Sequence, residues 1–458
     1  MVFYKYKEII FVGLFLILGF ILRSYNLSEK TIFNADQEWL ASRAKDLING
    51  DLPLLGPVTS VGSFSIGPGF IYLWALLGVF TLNTPITGAY LSVLLGMATL
   101  ASIYFFTKHF IDQKAAYLIL FLTAISSSLI FWDQVAWAPS LFYVSEIMLL
   151  AGACLSLKSK WGYPLMALGL SCGFQSHFGI VLSLLSVFVY FIFVRPVKID
   201  LKIFLISAFI LFIGILSNMV FDLTHNFINF KKLGSVFQGD GVSYFVSFEK
   251  IANVLNFNTT SLVYPKNDGL FDSIFTKSLF ALILVNAISY LRDKKLKNIS
   301  LLLLITGIFP AVLFYVQQGK FSEYYLMMTV PSLIFIFALF LQRIMERKIL
   351  AILIVVVSIF LNYKQLSNRY IPWNLKAKEE VARSMIQKAG TDNYGISLTT
   401  SLGNNFGFKY IFDYYKITAA MPPKVGETRI FSIIIPEGFD GMIGMEDHSG
   451  IGLRWSGI

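Results

Sequence analysis

Uncharged apolar runs alternate with short polar breaks along the first four-fifths of the chain. The first run, Ile9–Leu22, follows Lys5, Lys7 and Glu8, and no small-residue cleavage site comes after it, so it predicts a retained membrane helix. Further runs predict crossings at Pro85–Phe106, Ala115–Trp132, Ser140–Leu157, Phe204–Phe221, Ser278–Leu291, Ser300–Val316, Tyr325–Leu341 and Ile349–Leu361. The run Trp161–Val194 is far longer than a hydrocarbon core of ~30 Å requires, so it is two helices broken at Gly173-Phe-Gln-Ser-His-Phe-Gly179. Eleven crossings result. The alternating pattern of a membrane β-barrel is absent.

Charge gives the thread its direction. Basic clusters fall in the short breaks, at Lys5/Lys7, Lys108/Lys114, Lys158/Lys160, Arg195/Lys198/Lys202, Arg292–Lys297 and Arg343/Arg347/Lys348. Such clusters mark cytoplasmic loops. The N-terminus is then inside and the C-terminus outside. Two crossings between Leu52 and Thr107 would leave Lys108 outside, so Gly67–Phe80 reads as a helix lying in the outer leaflet, within a first external loop of residues 24–84. The net charge of +10 belongs to this topology and does not indicate a nucleic-acid partner. The two cysteines, Cys154 and Cys172, lie in apolar runs, which argues against a disulfide framework.

After Tyr363 the chain turns charged and rich in Gly and Pro. Residues 1–363 therefore form the membrane domain, and 364–458 a small extracytoplasmic α/β domain. In the latter, Ala377–Ala389 predicts an amphipathic helix, and Tyr394–Thr399, Gly407–Tyr415 and Arg429–Ile435 predict short strands.

The threaded topology gathers four polar features on the outer side. They are Asp36 and Glu38 in the first loop, Asp133 in Phe131-Trp-Asp-Gln-Val-Ala-Trp137, His177 in the helix break, and Lys320/Glu323 with Tyr324 in Gly319-Lys-Phe-Ser-Glu-Tyr-Tyr325. Transfer of a sugar from a lipid phosphate to a hydroxyl or amine needs a carboxylate to take the acceptor proton and a cation to neutralise the departing phosphate. Asp36 suits the first task. Lys320 suits the second, as does a divalent metal (Mg, Mn or Zn) held by Glu38, Asp133 or His177. Each residue also has a bland reading: Asp36 as the cap of a helix from Gln37, Glu38 as a first-turn acid, Asp133 as an interfacial acid, Lys320 as a snorkelling lysine. Glu146 lies within a crossing, where a charge is costly, and is expected to bond Gln175 or His177 below the site.

With these residues in view, the chain resembles the GT-C superfamily of polytopic glycosyltransferases, and most of all the branch holding the protein O-mannosyltransferases and the lipid A aminoarabinose transferases. The acidic pair Asp36-Gln-Glu38, then Leu52-Pro-Leu-Leu-Gly-Pro57, Gly67-Pro-Gly-Phe-Ile-Tyr-Leu-Trp74, Trp137-Ala-Pro-Ser140, Gln175-Ser-His177 and Glu323-Tyr-Tyr-Leu326 with Pro331 carry the resemblance. It implies an all-α polytopic fold with juxtamembrane helices in the first external loop. It further implies a polyprenyl-phosphate-linked sugar donor, a lipid, glycan or protein acceptor, inverting transfer on the outer face of the plasma membrane, and Asp36 as the base. Glu38 is the second catalytic candidate. Asp133, His177, Lys320, Glu323 and Tyr324 are the substrate-binding candidates. The stretch Gly67-Pro-Gly departs from the His-Pro-Pro or Lys-Pro-Pro of that branch, and Gln separates the acids, so acceptor and sugar stay open. A transporter or flippase of lipid-linked sugars is the competing reading. It would carry its ionisable groups at mid-membrane, where Glu146 alone lies. A substrate-binding protein of the same fold without catalysis is the third.

Overall fold

Sustained apolar sequence without interior Gly or Pro clusters folds as helix, and the chain is built almost wholly of helices joined by short turns. The computed structural model describes residues 2–59, 63–235, 246–265, 270–317, 322–390, 394–400, 407–425, 427, 429–435 and 445–457. Among these, seven helices are long and apolar enough to cross a membrane, and an eighth span arises if one bent pair counts as one. The protein is thus a polytopic helical membrane protein. The thread of eleven is longer than this in part because the run Trp161–Val194 yields two short helices, Gly162–Phe174 of 13 residues and Ile180–Phe193 of 14, each about 20 Å long. The break between the two lies where the polar stretch placed it.

Burial separates the inner helices from the rim. In the central span Glu323–Ile344 the apolar window is 89% buried, and Phe335 stacks on Phe106 at 3.9 Å. In Lys348–Ser367 the corresponding figure is 11%, as suits a helix whose apolar flank faces lipid.

The expected straight crossing Ala115–Trp132 is instead broken. Helix Gln113–Ile125 ends at Ser126, whose extended backbone (ψ 113°) starts a new helix, Ser127–Asp133, at 64° to the first. The joint is held by side chains from distant segments. Asn362 Oδ1 accepts from Ser127 N at 2.8 Å, and Arg23 reaches the freed carbonyls of Ala124 (2.9 Å) and Thr123 (3.3 Å). A run of three serines carries no such information by composition.

The C-terminal domain is a four-stranded sheet with strand order β1-β2-β4-β3, where β1 is Tyr394–Thr400, β2 Arg429–Ile435, β3 Glu446–His448 and β4 Ile451–Gly457. β1 and β2 pair in parallel, with Ile396 opposite Phe431, and β4 runs antiparallel to β2 and β3. Helix Leu375–Ala389 lays Leu375, Val381, Ala382 and Met385 on the sheet. The stretch Gly407–Tyr415 is not the strand its aromatics suggested but a helix, Phe408–Tyr414, forming the crossover that parallel pairing of β1 and β2 requires. Its N-terminal amides are capped by Glu38, hundreds of positions away in sequence, which no local pattern can announce.

One apolar cluster runs through this domain into the first loop, joining Phe33, Leu40, Ala44, Phe70 and Trp74 to Val381, Phe408, Ile433 and Leu453. The C-terminal domain is therefore packed on the loop.

Arg23 is fully buried, and its Nε donates to Asp133 Oδ2 at 2.7 Å. Removing one partner of such a pair strands the other charge, at a cost of about 3–5 kcal/mol, whereas an apolar pair of similar volume is close to neutral. We expect Asp133→Ala to lower the thermal unfolding midpoint in detergent sharply. Adding Arg23→Met should restore most of the loss, and a double variant no more stable than Asp133→Ala would contradict this account.

Candidate active site

The first-loop helix, Ala35–Ile48, starts two residues earlier than the cap reading of Asp36 requires. Asn34 is the N-cap, in extended backbone, and Gln37 completes the capping box, its Oε1 accepting from Asn34 N at 3.0 Å. The amide of the same Gln37 donates to Ala136 O at 3.0 Å, which ties the helix start to the second loop. Asp36 is thus freed of capping. Its side chain is exposed in the first turn and takes part in no hydrogen bond or ion pair among the described residues. An accessible, unengaged carboxylate is what proton abstraction from an incoming group needs.

Glu38, one turn-edge further on, is engaged. Its Oε2 accepts from Gly407 N and Tyr410 N, both at 3.1 Å, at the N-terminus of helix Phe408–Tyr414. Beside it lies Lys378, fully buried, whose Nζ donates to Phe33 O at 2.6 Å and to Asn34 Oδ1 at 3.1 Å. Burial pulls the Lys378 amine down to about 7, against the opposing pull of the nearby Glu38 carboxylate.

The second loop continues from Asp133. That residue is turned inward to Arg23 rather than to solvent. Trp132 and Trp137 stack at 4.8 Å and 14°, and Trp137 meets Tyr324 edge-on at 6.3 Å. Tyr324 in turn meets His177 at 6.4 Å, and His177 meets Phe142 at 5.7 Å. Ala136, the neighbour of Trp137, bonds Gln37, so the row is linked through it to the start of the first-loop helix. His177 Nδ1 accepts from Gly179 N at 3.0 Å, and burial pulls the imidazole down to about 4. A neutral ring whose Nδ1 accepts leaves its Nε2–H as a donor. Glu323 is exposed at the start of the 3₁₀ turn Glu323–Thr329. Lys320 lies outside the described residues.

Glu146 does not bond Gln175 or His177. Both its carboxyl oxygens are buried without a hydrogen-bond partner. Gln175 faces elsewhere. Its Oε1 accepts from Gly69 N at 2.7 Å and its Nε2 donates to Gly214 O. A Cβ on Gly67 would stand 2.3 Å from the Gln175 carboxamide, so Gly67-Pro-Gly69 is a seat for that side chain.

Among the described residues no three His, Cys, Asp or Glu side chains converge in a group that could hold a metal ion. Glu38, Asp133 and His177 each spend a donor atom on the protein as placed.

Sequence reasoning missed Arg23, Lys378, Gln134 and Arg369. Gln134 Nε2 donates to Arg23 O at 2.8 Å, and its Oε1 accepts from Arg369 Nη1 at 2.6 Å, so these residues knit the second loop to the end of the first helix and to the segment just after helix Lys348–Ser367. A lone arginine closing the first apolar run was the available signal for Arg23. Lys378 had none, since it reads as one of several charges on an amphipathic helix.

No family model matches the chain, and no curated protein matches it. Solved structures do. ArnT from Cupriavidus metallidurans bound to undecaprenyl phosphate superposes with a TM-score of 0.61 at 11% identity, over 98% of this chain and 97% of that one. Its apo state gives 0.62 at 10%, over 98% of each. The archaeal oligosaccharyltransferase AglB from Archaeoglobus fulgidus, in complex with an inhibitory peptide and a dolichol-phosphate, gives 0.53 at 14%, over 94% of this chain and 70% of that one. A complex of that enzyme with Zn and sulfate gives 0.52 at 13%, over 92% and 68%. At these identities the likeness is one of fold: the chain shares the fold of these two enzymes.

Between about 7 and the ordinary lysine range, folded Lys378 binds fewer protons than the unfolded chain, so stability rises with pH across that window. We expect the unfolding midpoint in detergent to carry this slope from pH 7 to 10, by up to ~1.4 kcal/mol per unit, and Lys378→Met to flatten it. An unchanged slope in the variant would count against the buried amine.

Proposed function

We propose that the protein is a membrane glycosyltransferase that moves a sugar from a polyprenyl-phosphate donor to an acceptor on the extracytoplasmic face of the plasma membrane, with Asp36 as general base. The observation that carries this reading is the free Asp36 carboxylate in the first turn of the first-loop helix, in a chain with the GT-C fold. Two solved structures of that fold hold undecaprenyl phosphate and dolichol-phosphate, which supports a lipid-phosphate donor. The inside placement of the basic clusters supports an outward-facing site and C-terminal domain.

In the proposed step the acceptor oxygen or nitrogen attacks the anomeric carbon. The bond from that carbon to the phosphate oxygen breaks, and the lipid phosphate leaves with the electron pair. Asp36 takes the acceptor proton, and a single displacement of this kind inverts the anomeric centre. The row Trp132–Trp137–Tyr324–His177 offers flat apolar faces and one N–H donor, a surface suited to a sugar ring, and Trp137 in it follows Ala136, which bonds the helix that carries Asp36. Lys320 is proposed as the cation for the departing phosphate, and Glu323 and Tyr324 as substrate-binding residues. The acceptor is a lipid, glycan or protein group of the cell envelope.

Wild type and Asp36→Asn, reconstituted in vesicles, would be offered a panel of polyprenyl-phosphate sugars with envelope acceptors. Asparagine keeps the shape but cannot take the proton, so transfer should fall by about 10²–10⁴-fold while the unfolding midpoint holds. Full activity in the variant would remove Asp36 from the mechanism. A silent wild type that carries labelled lipid across the bilayer would make the protein a transporter.

A further inference from the structure

We propose that the C-terminal domain is the clamp that positions Asp36, gripping the first-loop helix two residues before it at Asn34 and two residues after it at Glu38, with Lys378 as the positioning residue. The catalytic half of this inference rests on the reading of Asp36 as base.

The two grips come from separate elements. Lys378, on helix Leu375–Ala389, donates to Phe33 O and to the Asn34 side chain. Asn34 is the N-cap, so the amine holds the residue that sets where the helix begins. Gly407 and Tyr410, at the start of helix Phe408–Tyr414, donate to Glu38 Oε2. Asp36 stands between these attachments with its own carboxylate unengaged.

The fit at Gly407 is close. Its φ of +97° suits glycine alone, and a Cβ there would stand 2.1 Å from Phe33 O and 3.0 Å from Lys378 Nζ. The Phe33 and Tyr410 rings meet at 6.0 Å, and Tyr410 Oη donates to Asn83 O at 2.7 Å, which extends the contact to the end of helix Gly69–Thr81. An amine buried at this depth is costly unless its donors are met, and an apolar side chain could fill the space more cheaply. What a lysine adds is direction: it points donors at one carbonyl and one cap. Placement of a catalytic group matters at this scale, because a shift of about 1 Å can cost ~10²-fold in rate.

Hydrogen–deuterium exchange on the full chain in lipid nanodiscs reads the clamp without any substrate. In wild type the amides of Gly407 and Tyr410 and the first turn of helix Ala35–Ile48 should be protected. In Lys378→Met and in Gly407→Ala, exchange in peptides covering 34–40 and 407–411 should quicken by about fivefold or more, the loss of roughly one hydrogen bond. The central helix Val330–Ile344 should not change, which separates release of the clamp from unfolding. Lys45→Ala, which removes only the exposed ion pair to Asp413, should leave both peptides as they are. Unchanged exchange at 34–40 in both variants overturns the proposal. Once transfer is detected, Lys378→Met should lower kcat with KM nearly unchanged. A kcat equal to wild type despite quickened exchange shows a grip that does not position the base, and also overturns it. Wild type that shows the exchange pattern but transfers no sugar overturns the proposed function and leaves the clamp standing.

Discussion

A fully buried guanidinium in an apolar bundle must have its donors met, and the arrangement of both loops follows from how Arg23 meets this demand. It bonds the carbonyls of Gly19, Thr123 and Ala124 and the Asp133 carboxylate. Two of those carbonyls are free only because the third crossing breaks at Ser126, and Asp133 closes the short helix that the break begins. The bend sends residues 134–137 across the first loop. There Gln134 O accepts from Thr31 Oγ1 at 2.6 Å, and Ala136 O accepts from Gln37. Charge pairing inside the bundle thus sets the register of the two loops that meet at the candidate site.

The acids of the first loop divide their work by where the helix turns them. Positions 36 and 38 fall on different faces of a helix of 3.6 residues per turn. Gln37 and Glu38 are spent on the second loop and on the C-terminal domain, which leaves Asp36 as the acid turned outward. A free carboxylate between two tethered neighbours combines access with fixed position. The same logic accounts for Glu38 being an acid: two parallel amides at a helix start are best met by a charged acceptor.

The membrane class, most helix positions and the Asp36–Glu38 loop were legible because each rests on a local signal, an apolar run or a polar break. The helix pair around Gly173–Gly179 and the strands Tyr394–Thr400 and Arg429–Ile435 followed from such runs. The failures share one cause. The Ser126 break, the helix at Phe408–Tyr414 and the inward turn of Asp133 are each decided by a partner more than a hundred positions away: Asn362 and Arg23, Glu38, and Arg23 again. Propensity weighs neighbours in sequence, and these partners are neighbours only in space.

By itself the sequence determined that the chain is a helical membrane protein, and it singled out the polar first loop as the place to look for chemistry. Apolar length and basic clustering are read by the bilayer without regard to tertiary contact. Only the tertiary structure decided which acid is left free. Asp36 and Glu38 are equivalent by composition, and they were told apart by two backbone amides and one buried amine that the C-terminal domain brings to the loop.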